Sequence, residues 1–298
     1  MKLGYVSDTL TQGDAPGKKW TINEYLENVS NIGYDSVEIF TFPGQATYPF
    51  YLNKKNREDL IEKLDELNLY VSNVGAYGGM MLCSEFGYLT NDEMERKFTV
   101  NYLKNCIDLA VELNCKTVGD LVGIKPIDLD IEKAWERAAN SLGQVCDYAG
   151  DRGINIAVEI GTKLKAPRVK LVHSAETFLE LIKNVKSNSL KCLYDPSNII
   201  MGGVENWLEG IDLISKHLAH VQLKGLMRGD MTYGYNFTRP CSEYDLTPQK
   251  EFLNKLKNIG YNDSICIEEF PSLYTDAAKI DWFKSAELAY KDVNQLFD

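Results

Sequence analysis

The stretch Leu218-Ala219-His220-Val221-Gln222-Leu223-Lys224-Gly225 interleaves a histidine, an amide and an ammonium with apolar residues and stops at a glycine. Successive side chains of a strand point to opposite faces, so His220, Gln222 and Lys224 share one face, and Val221 and Leu223 the other. A polar face on a short strand with apolar neighbours suggests a lined cavity rather than a solvent edge. Three further apolar runs end on a carboxylate, at Glu159, Asp195 and Glu268. With His220 or Gln222 they form a set of oxygen and nitrogen donors suited to a divalent cation. Carboxylates beside a bound carbonyl compound could also carry protons. Each residue alone has a plainer reading: a strand-end Glu can cap the next helix or pair with Lys163 or Lys165. Asp195-Pro196-Ser197-Asn198 is a good Asx turn, and His220 is equally at home as a hydrogen-bonded interior residue. Four coincident strand ends favour a site.

Those donors must be positioned by the elements around them. Strand-like runs are expected at Leu3–Ser7, Ser36–Phe40, Leu69–Val74, Lys116–Val118, Ile154–Glu159, Leu190–Asp195, Leu218–Lys224 and Ser264–Glu268. Helical periodicity falls between them, at about Thr21–Ile32, Lys55–Leu67, Asn91–Leu113, Ile131–Ala149, Ala175–Val185, Val204–Lys216, Pro248–Ile259 and Ala277–Leu296. Thr21 and Glu24 have capping-box spacing. Loops are expected at Gly75–Thr90, over the basic stretch 160–172 (Lys163, Lys165, Arg168, Lys170), and at Gly225–Leu246. Strict alternation implies parallel strands with crossover helices. Eight repeats favour an α/β fold of the closed (β/α)8 kind in one domain, residues 1–298, over an open doubly wound sheet. In such a barrel Glu38, Asp120, Glu159, Asp195, Gln222 and Glu268, all at strand ends, would gather at one mouth. Trp20, Phe42, Tyr48, Phe50, Tyr51 and Tyr77 fall in the first three mouth loops and would suit a sugar or aryl-glycoside pocket.

Composition narrows the classes. The chain has 298 residues, 44% hydrophobic and 25% charged, which is ample for a core. A net charge of −11 argues against a nucleic-acid surface, which needs Lys and Arg for phosphate contacts. Seven cysteines occur with no CxxC pair, a pattern of free thiols that points to a reducing, cytoplasmic setting rather than a disulfide framework or zinc cluster. No apolar run approaches the roughly 20 residues of a membrane span. The basic loop could attract a phosphate, although a solvated loop is the ordinary explanation. His173 follows that loop and could reach over the mouth or lie on the surface; His217 sits at a helix end and reads as structural.

Five stretches in register resemble the xylose isomerase-like TIM barrel superfamily, the group of sugar phosphate isomerases and epimerases. They are Gly33-Tyr34-Asp35-Ser36-Val37-Glu38, Val158-Glu159-Ile160, Tyr194-Asp195-Pro196-Ser197-Asn198, His220 to Gly225, and Ile259-Gly260-Tyr261 followed by Cys266-Ile267-Glu268. The resemblance covers almost the whole chain and implies a divalent metal held by Glu159, Asp195 and Glu268. The fourth family ligand is the second His of an H-x-H strand, and Gln222 stands there. Its carbonyl could keep the site in a harder, all-oxygen form, or the loss of imidazole could abolish it. Mn2+ is the first expectation, with Mg2+, Co2+ or Zn2+ as alternatives. His220 matches the first His, which is not a ligand in the family. Asn198 replaces a sugar-touching His, and Arg228 matches a substrate-contacting Arg of the ketose 3-epimerases. The common Gly-x-Gly loop is replaced by Thr238-Arg239-Pro240-Cys241-Ser242-Glu243-Tyr244.

The resemblance implies an enzyme that removes a proton next to the carbonyl of a keto sugar or sugar-like polyol and passes through an enediolate. Glu159 and Glu268 would be the acid/base pair as well as ligands. His220, Asn198, Arg228, Lys224 and His173 are the expected substrate contacts. A lyase on the same scaffold is the alternative, either a C-glycoside deglycosidase subunit acting on 3-keto-glycosides or an inosose dehydratase-like enzyme. A non-catalytic sugar-binding barrel comes after it. Abasic-site DNA repair, also found on this fold, uses a His-rich three-zinc site, and this chain has only three His. The expected partner is a small carbohydrate, with no nucleic acid or membrane, and room is left for a homo-oligomer or small partner subunit.

Overall fold

Strands that must be buried on both faces read as unbroken apolar runs rather than as alternating ones. In the computed structural model, which describes residues 1–7, 21–41, 47, 53–77, 85–269 and 281–297, these runs form β1 (Lys2–Val6), β2 (Ser36–Phe40), β3 (Tyr70–Gly75), β4 (Thr117–Asp120), β6 (Asn155–Glu159), β8 (Leu190–Tyr194), β9 (Leu218–Leu223) and β12 (Ser264–Ile267). The strand order β1-β12-β9-β8-β6-β4-β3-β2 closes into a barrel. Neighbouring strands such as β1 with β2 and β12, and β6 with β4 and β8, pair in parallel. The expected (β/α)8 barrel is therefore the fold, and the open doubly wound sheet is excluded.

The intervening helices are α1 (Ile22–Ile32), α2 (Lys54–Glu66), α3 (Glu93–Glu112), α4 (Ile131–Gly150), α5 (Ala175–Val185), α6 (Pro196–Met201), α7 (Trp207–Ile214), α8 (Gln249–Asn258) and α9 (Trp282–Asn294). By contacts the chain falls into two compact units, residues 1–72 with 221–298, and residues 73–220.

In the first unit the expected capping box opens α1: Glu24 N donates to Thr21 Oγ1, and Thr21 N to Glu24 Oε2. Tyr25 OH donates to the Tyr5 carbonyl at 2.6 Å, fastening α1 to β1, and Tyr34 OH donates to the Ala286 carbonyl at 2.9 Å, tying the α1–β2 turn to α9. The other face of β1 meets a layer of small groups. Gly4 pairs with Ser36 on one side and Cys266 on the other. A Cβ on Gly4 would lie 2.4 Å from Ser36 Oγ and 2.6 Å from Cys266 Sγ. Gly4→Ala should therefore destabilise the protein by about 1–3 kcal/mol through overpacking, read as a lower midpoint in urea unfolding. An unchanged midpoint would mean that this layer is loosely filled.

Two expected loops carry strands of their own. The stretch after β9 is an antiparallel hairpin, β10 (Gly225–Thr232) with β11 (Tyr235–Thr238). Tyr233 and Gly234, at φ 51° and 87°, make its turn, as a two-residue hairpin of this hand requires. Asp245 anchors its base, accepting from the backbone N–H groups of Leu226, Cys241 and Thr247 and from Gln249 Nε2.

In the second unit the basic loop contains β7 (Val169–Lys170), antiparallel to β5 (Ile124–Lys125). The single expected helix Val204–Lys216 is α7 alone, ending in a 3-10 turn at Ser215–His217. It is separated from α6 by Gly202 and Gly203, and Gly203 adopts φ 72°. His217 is indeed a helix-end residue, its ring edge-on to Phe178. Burial, then the charges of Lys191 and Lys216, hold its pKa below the ordinary value. No helix among the described residues is long and apolar enough to cross a membrane.

Candidate active site

In the first unit the parallel register decides which polar groups share a face. Gln222 pairs with Cys266, and Ile267 pairs with both Leu223 and Tyr5. One residue on, Glu268 therefore stands beside Lys224, and Lys224 Nζ lies 2.7 Å from Glu268 Oε2 with both side chains 4% exposed. A buried ion pair of this kind persists because each charge satisfies the other. The Lys224 ammonium is also 5.9 Å from the Phe237 ring of the hairpin, and its backbone carbonyl accepts from Gln249 Nε2 at 2.8 Å.

Glu269, the next residue, points the other way. Tyr5 OH and Ser285 Oγ each donate to it at 2.6 Å, so it ties β12 to β1 and α9. Adjacent carboxylates thus take opposite roles, and the sequence reading passed over Glu269. A register fixed by Tyr5 was the missing signal.

Gln222 is buried on β9, and its Nε2 donates to both oxygens of Glu38 at 3.1 Å. In the sheet β12 and β1 lie between β9 and β2. The bond therefore spans the inside of the curve rather than running along one ladder. His220 is buried two residues earlier on the same strand.

In the second unit Glu159 ends β6 and is 7% exposed. Asn198, on α6, donates its Nδ2 to Glu159 Oε1. Asp195 is fully buried and its Oδ1 accepts from Ser197 N at 2.9 Å, so it does cap α6. The cap fixes Asp195 at the end of its strand. Burial, and then the negative charge of Glu159, pushes the Cys192 thiol well above its ordinary pKa, leaving it a small apolar group.

Asp120 does not join Glu159. It pairs with Val158, one position out of phase, and accepts a 2.5 Å hydrogen bond from Tyr88 OH. Cys146 on α4 feels its charge, after burial, and is pushed up to about 12. Asp120 therefore faces the helix layer, which corrects its expected place at the mouth.

Two other expected site residues are less buried. Arg228 is exposed on β10, its guanidinium 4.9 Å from the Tyr235 ring. His173 is half-buried just before α5, its Nδ1 2.8 Å from the Lys170 carbonyl, which ties the ring to its own loop. Arg168 of the basic loop pairs with Glu85. Of the loop aromatics, Tyr77 is buried at 4% exposure; Trp20, Phe42, Tyr48, Phe50 and Tyr51 lie outside the described residues.

A family model described as "Xylose isomerase-like TIM barrel" matches residues 26–286. The chain belongs to this family. Among solved structures, the D-psicose 3-epimerase of Clostridium cellulolyticum H10, crystallised with D-tagatose, is 17% identical over 100% of both chains, with TM-score 0.76. The probable 3-DHS dehydratase AsbF of Bacillus anthracis is 12% identical over 99% of both chains, with TM-score 0.75. The IOLI protein, solved with a zinc atom, is 19% identical over 100% of this chain and 96% of its own, with TM-score 0.74. At these identities the solved structures share the fold, and they include both epimerase and dehydratase chemistry.

Proposed function

We propose that this member of the xylose isomerase-like family is a divalent-metal-dependent isomerase or epimerase. It would act on a keto sugar or sugar-like polyol by removing a proton next to the carbonyl. The observation that carries the reading is that Glu159 and Glu268 are both buried at the C-terminal ends of their strands, beside a neutral partner, Asn198, and a cationic one, Lys224. Buried carboxylates held in place by such partners are suited to holding and moving a proton.

The donor chemistry fits a hard cation. Glu159, Asp195 and Glu268 would hold the ion as carboxylates and Gln222 through its amide oxygen, a set suited to Mn2+ or Mg2+. When bound, the ion would polarise the substrate carbonyl and steady the negative charge that develops on it. Glu159 and Glu268 would serve as the proton-moving pair, while Asn198 and Lys224 fix the orientation of their carboxylates. Lys224 and His220 would meet substrate hydroxyls, with Arg228 and His173 as outer contacts. Residues 1–298 would form a single domain acting in the cytoplasm.

A lyase reading is favoured by one feature, the Lys224 ammonium beside Glu268, which could deliver a proton to a departing group. The two readings separate in one assay. Protein stripped with EDTA and reloaded with Mn2+, Mg2+, Co2+ or Zn2+ is offered free ketoses and aryl 3-keto-glycosides. Metal-dependent interconversion of ketoses supports the isomerase, and release of an aryl product supports the lyase. Turnover of neither class with any ion, together with substoichiometric metal after reconstitution, would leave a sugar-binding barrel.

A further inference from the structure

Residues 160–172 carry four cations, Lys163, Lys165, Arg168 and Lys170, and no carboxylate, in a chain whose net charge is −11. An acidic molecule repels anions at long range, so a local run of the opposite sign marks where an anion can be received. The four cations are not equivalent. Lys163, Lys165 and Arg168 are exposed, and Arg168 pairs with Glu85. Lys170 is half-buried and built into the fold. It pairs with Ile124 in the β5–β7 ribbon, and its carbonyl lies 2.8 Å from His173 Nδ1.

The Lys170 side chain runs back to the end of β6, within the second unit. A Cβ on Gly161 would lie 2.6 Å from Lys170 Nζ and 2.7 Å from its Cδ, so only a glycine there lets the ammonium take this place. Gly161 is two residues past Glu159, and Ile160 N donates to the Leu193 carbonyl at 3.2 Å, continuing the ladder with β8. Two residues of extended chain span about 6.6 Å and return to the same face. The ammonium is therefore held on the Glu159 side of the strand, within the length of one hexose.

We propose that Lys170, seated on Gly161, binds an anionic end-group of the substrate, a carboxylate or a phosphate, at the end of a keto sugar remote from the reacting carbon. This rests on the reading above that Glu159 stands at that carbon. A lysine ammonium is a compact point charge that suits either anion. Such a contact fixes the far end of the substrate, so the protein takes acidic keto sugars in preference to neutral ones.

The test is calorimetric titration of the full-length protein, in buffer containing Mn2+, with two matched series of ketoses. These are D-fructose, D-fructuronate and D-fructose 6-phosphate, and the corresponding three forms of D-tagatose. In at least one series an anionic member should bind about 10- to 100-fold more tightly than the neutral sugar, the usual effect of a charged hydrogen bond. Whether the uronate or the phosphate binds more tightly identifies the anion. Lys170→Met should abolish the preference. Gly161→Ala keeps the charge but puts a methyl group where the ammonium lies, and should also remove most of the preference. Lys163→Met, which deletes an exposed cation of the same loop, should leave it intact. Should Lys170→Met fail to fold, Gly161→Ala decides. A Lys170 that only braces its loop would lower the melting temperature of its variant without moving the preference. That result overturns the inference and leaves the proposed function standing, as does equal binding of neutral and anionic members by the native protein or an equal loss in Lys163→Met. Native protein that binds no member of either series removes both.

Discussion

Glu159→Gln should slow turnover by about 10²- to 10⁴-fold, the usual worth of a general acid or base, with little change in melting temperature. The substitution keeps the volume of the side chain and an oxygen to accept from Asn198 Nδ2, so only the charge and the proton are lost. Glu268→Gln should slow turnover comparably but also unfold sooner. It leaves the 4%-exposed Lys224 ammonium facing a neutral amide, and removing one partner of a buried ion pair costs about 3–5 kcal/mol. Steady-state rates and thermal melts on both variants, each with Mn2+ present, separate chemistry from folding. A Glu159→Gln enzyme that works normally would take that residue out of the proton-transfer role.

Local rules made some of this molecule readable before its structure. Thr21 and Glu24 announce their capping box within four residues, and Ser36–Phe40 and Ala175–Val185 are bounded by turn and cap signals the chain carries itself. Sheet register is not local. Whether Asp120 lines the interior or faces α4 depends on its pairing with Val158, and strand β4 is too short to show a period. Likewise Glu268 and Glu269 are indistinguishable in the sequence, and only the alignment of β12 with β1 and β9 sends one to Lys224 and the other to Tyr5. The hairpin after β9 escaped because its turn is Tyr233-Gly234 rather than Asn-Gly, so a bulky residue sits at positive φ where an Asn would have signalled it. Lys224 was legible as a polar residue on the right face. Its partner was not, since the sequence holds no trace of which carboxylate a buried lysine will meet.

That pair supports a second large effect. Lys224→Met should destabilise the metal-free protein by about 3–5 kcal/mol, because Glu268 keeps a buried charge and loses the ammonium 2.7 Å away. Methionine replaces the aliphatic stem, so packing changes little and the loss is electrostatic. Two further measurements show that the charge is responsible. Adding Glu268→Leu to Lys224→Met removes the stranded carboxylate and should recover most of the stability, since buried ion pairs exchanged for apolar residues are often neutral or better. Saturating Mn2+ should raise the melting temperature of Lys224→Met more than that of the native protein, because a cation then returns positive charge to Glu268. If the double variant is as unstable as the single one, Lys224 matters for its packing and not for its charge. If Mn2+ stabilises the two proteins equally, Glu268 is not where the ion binds.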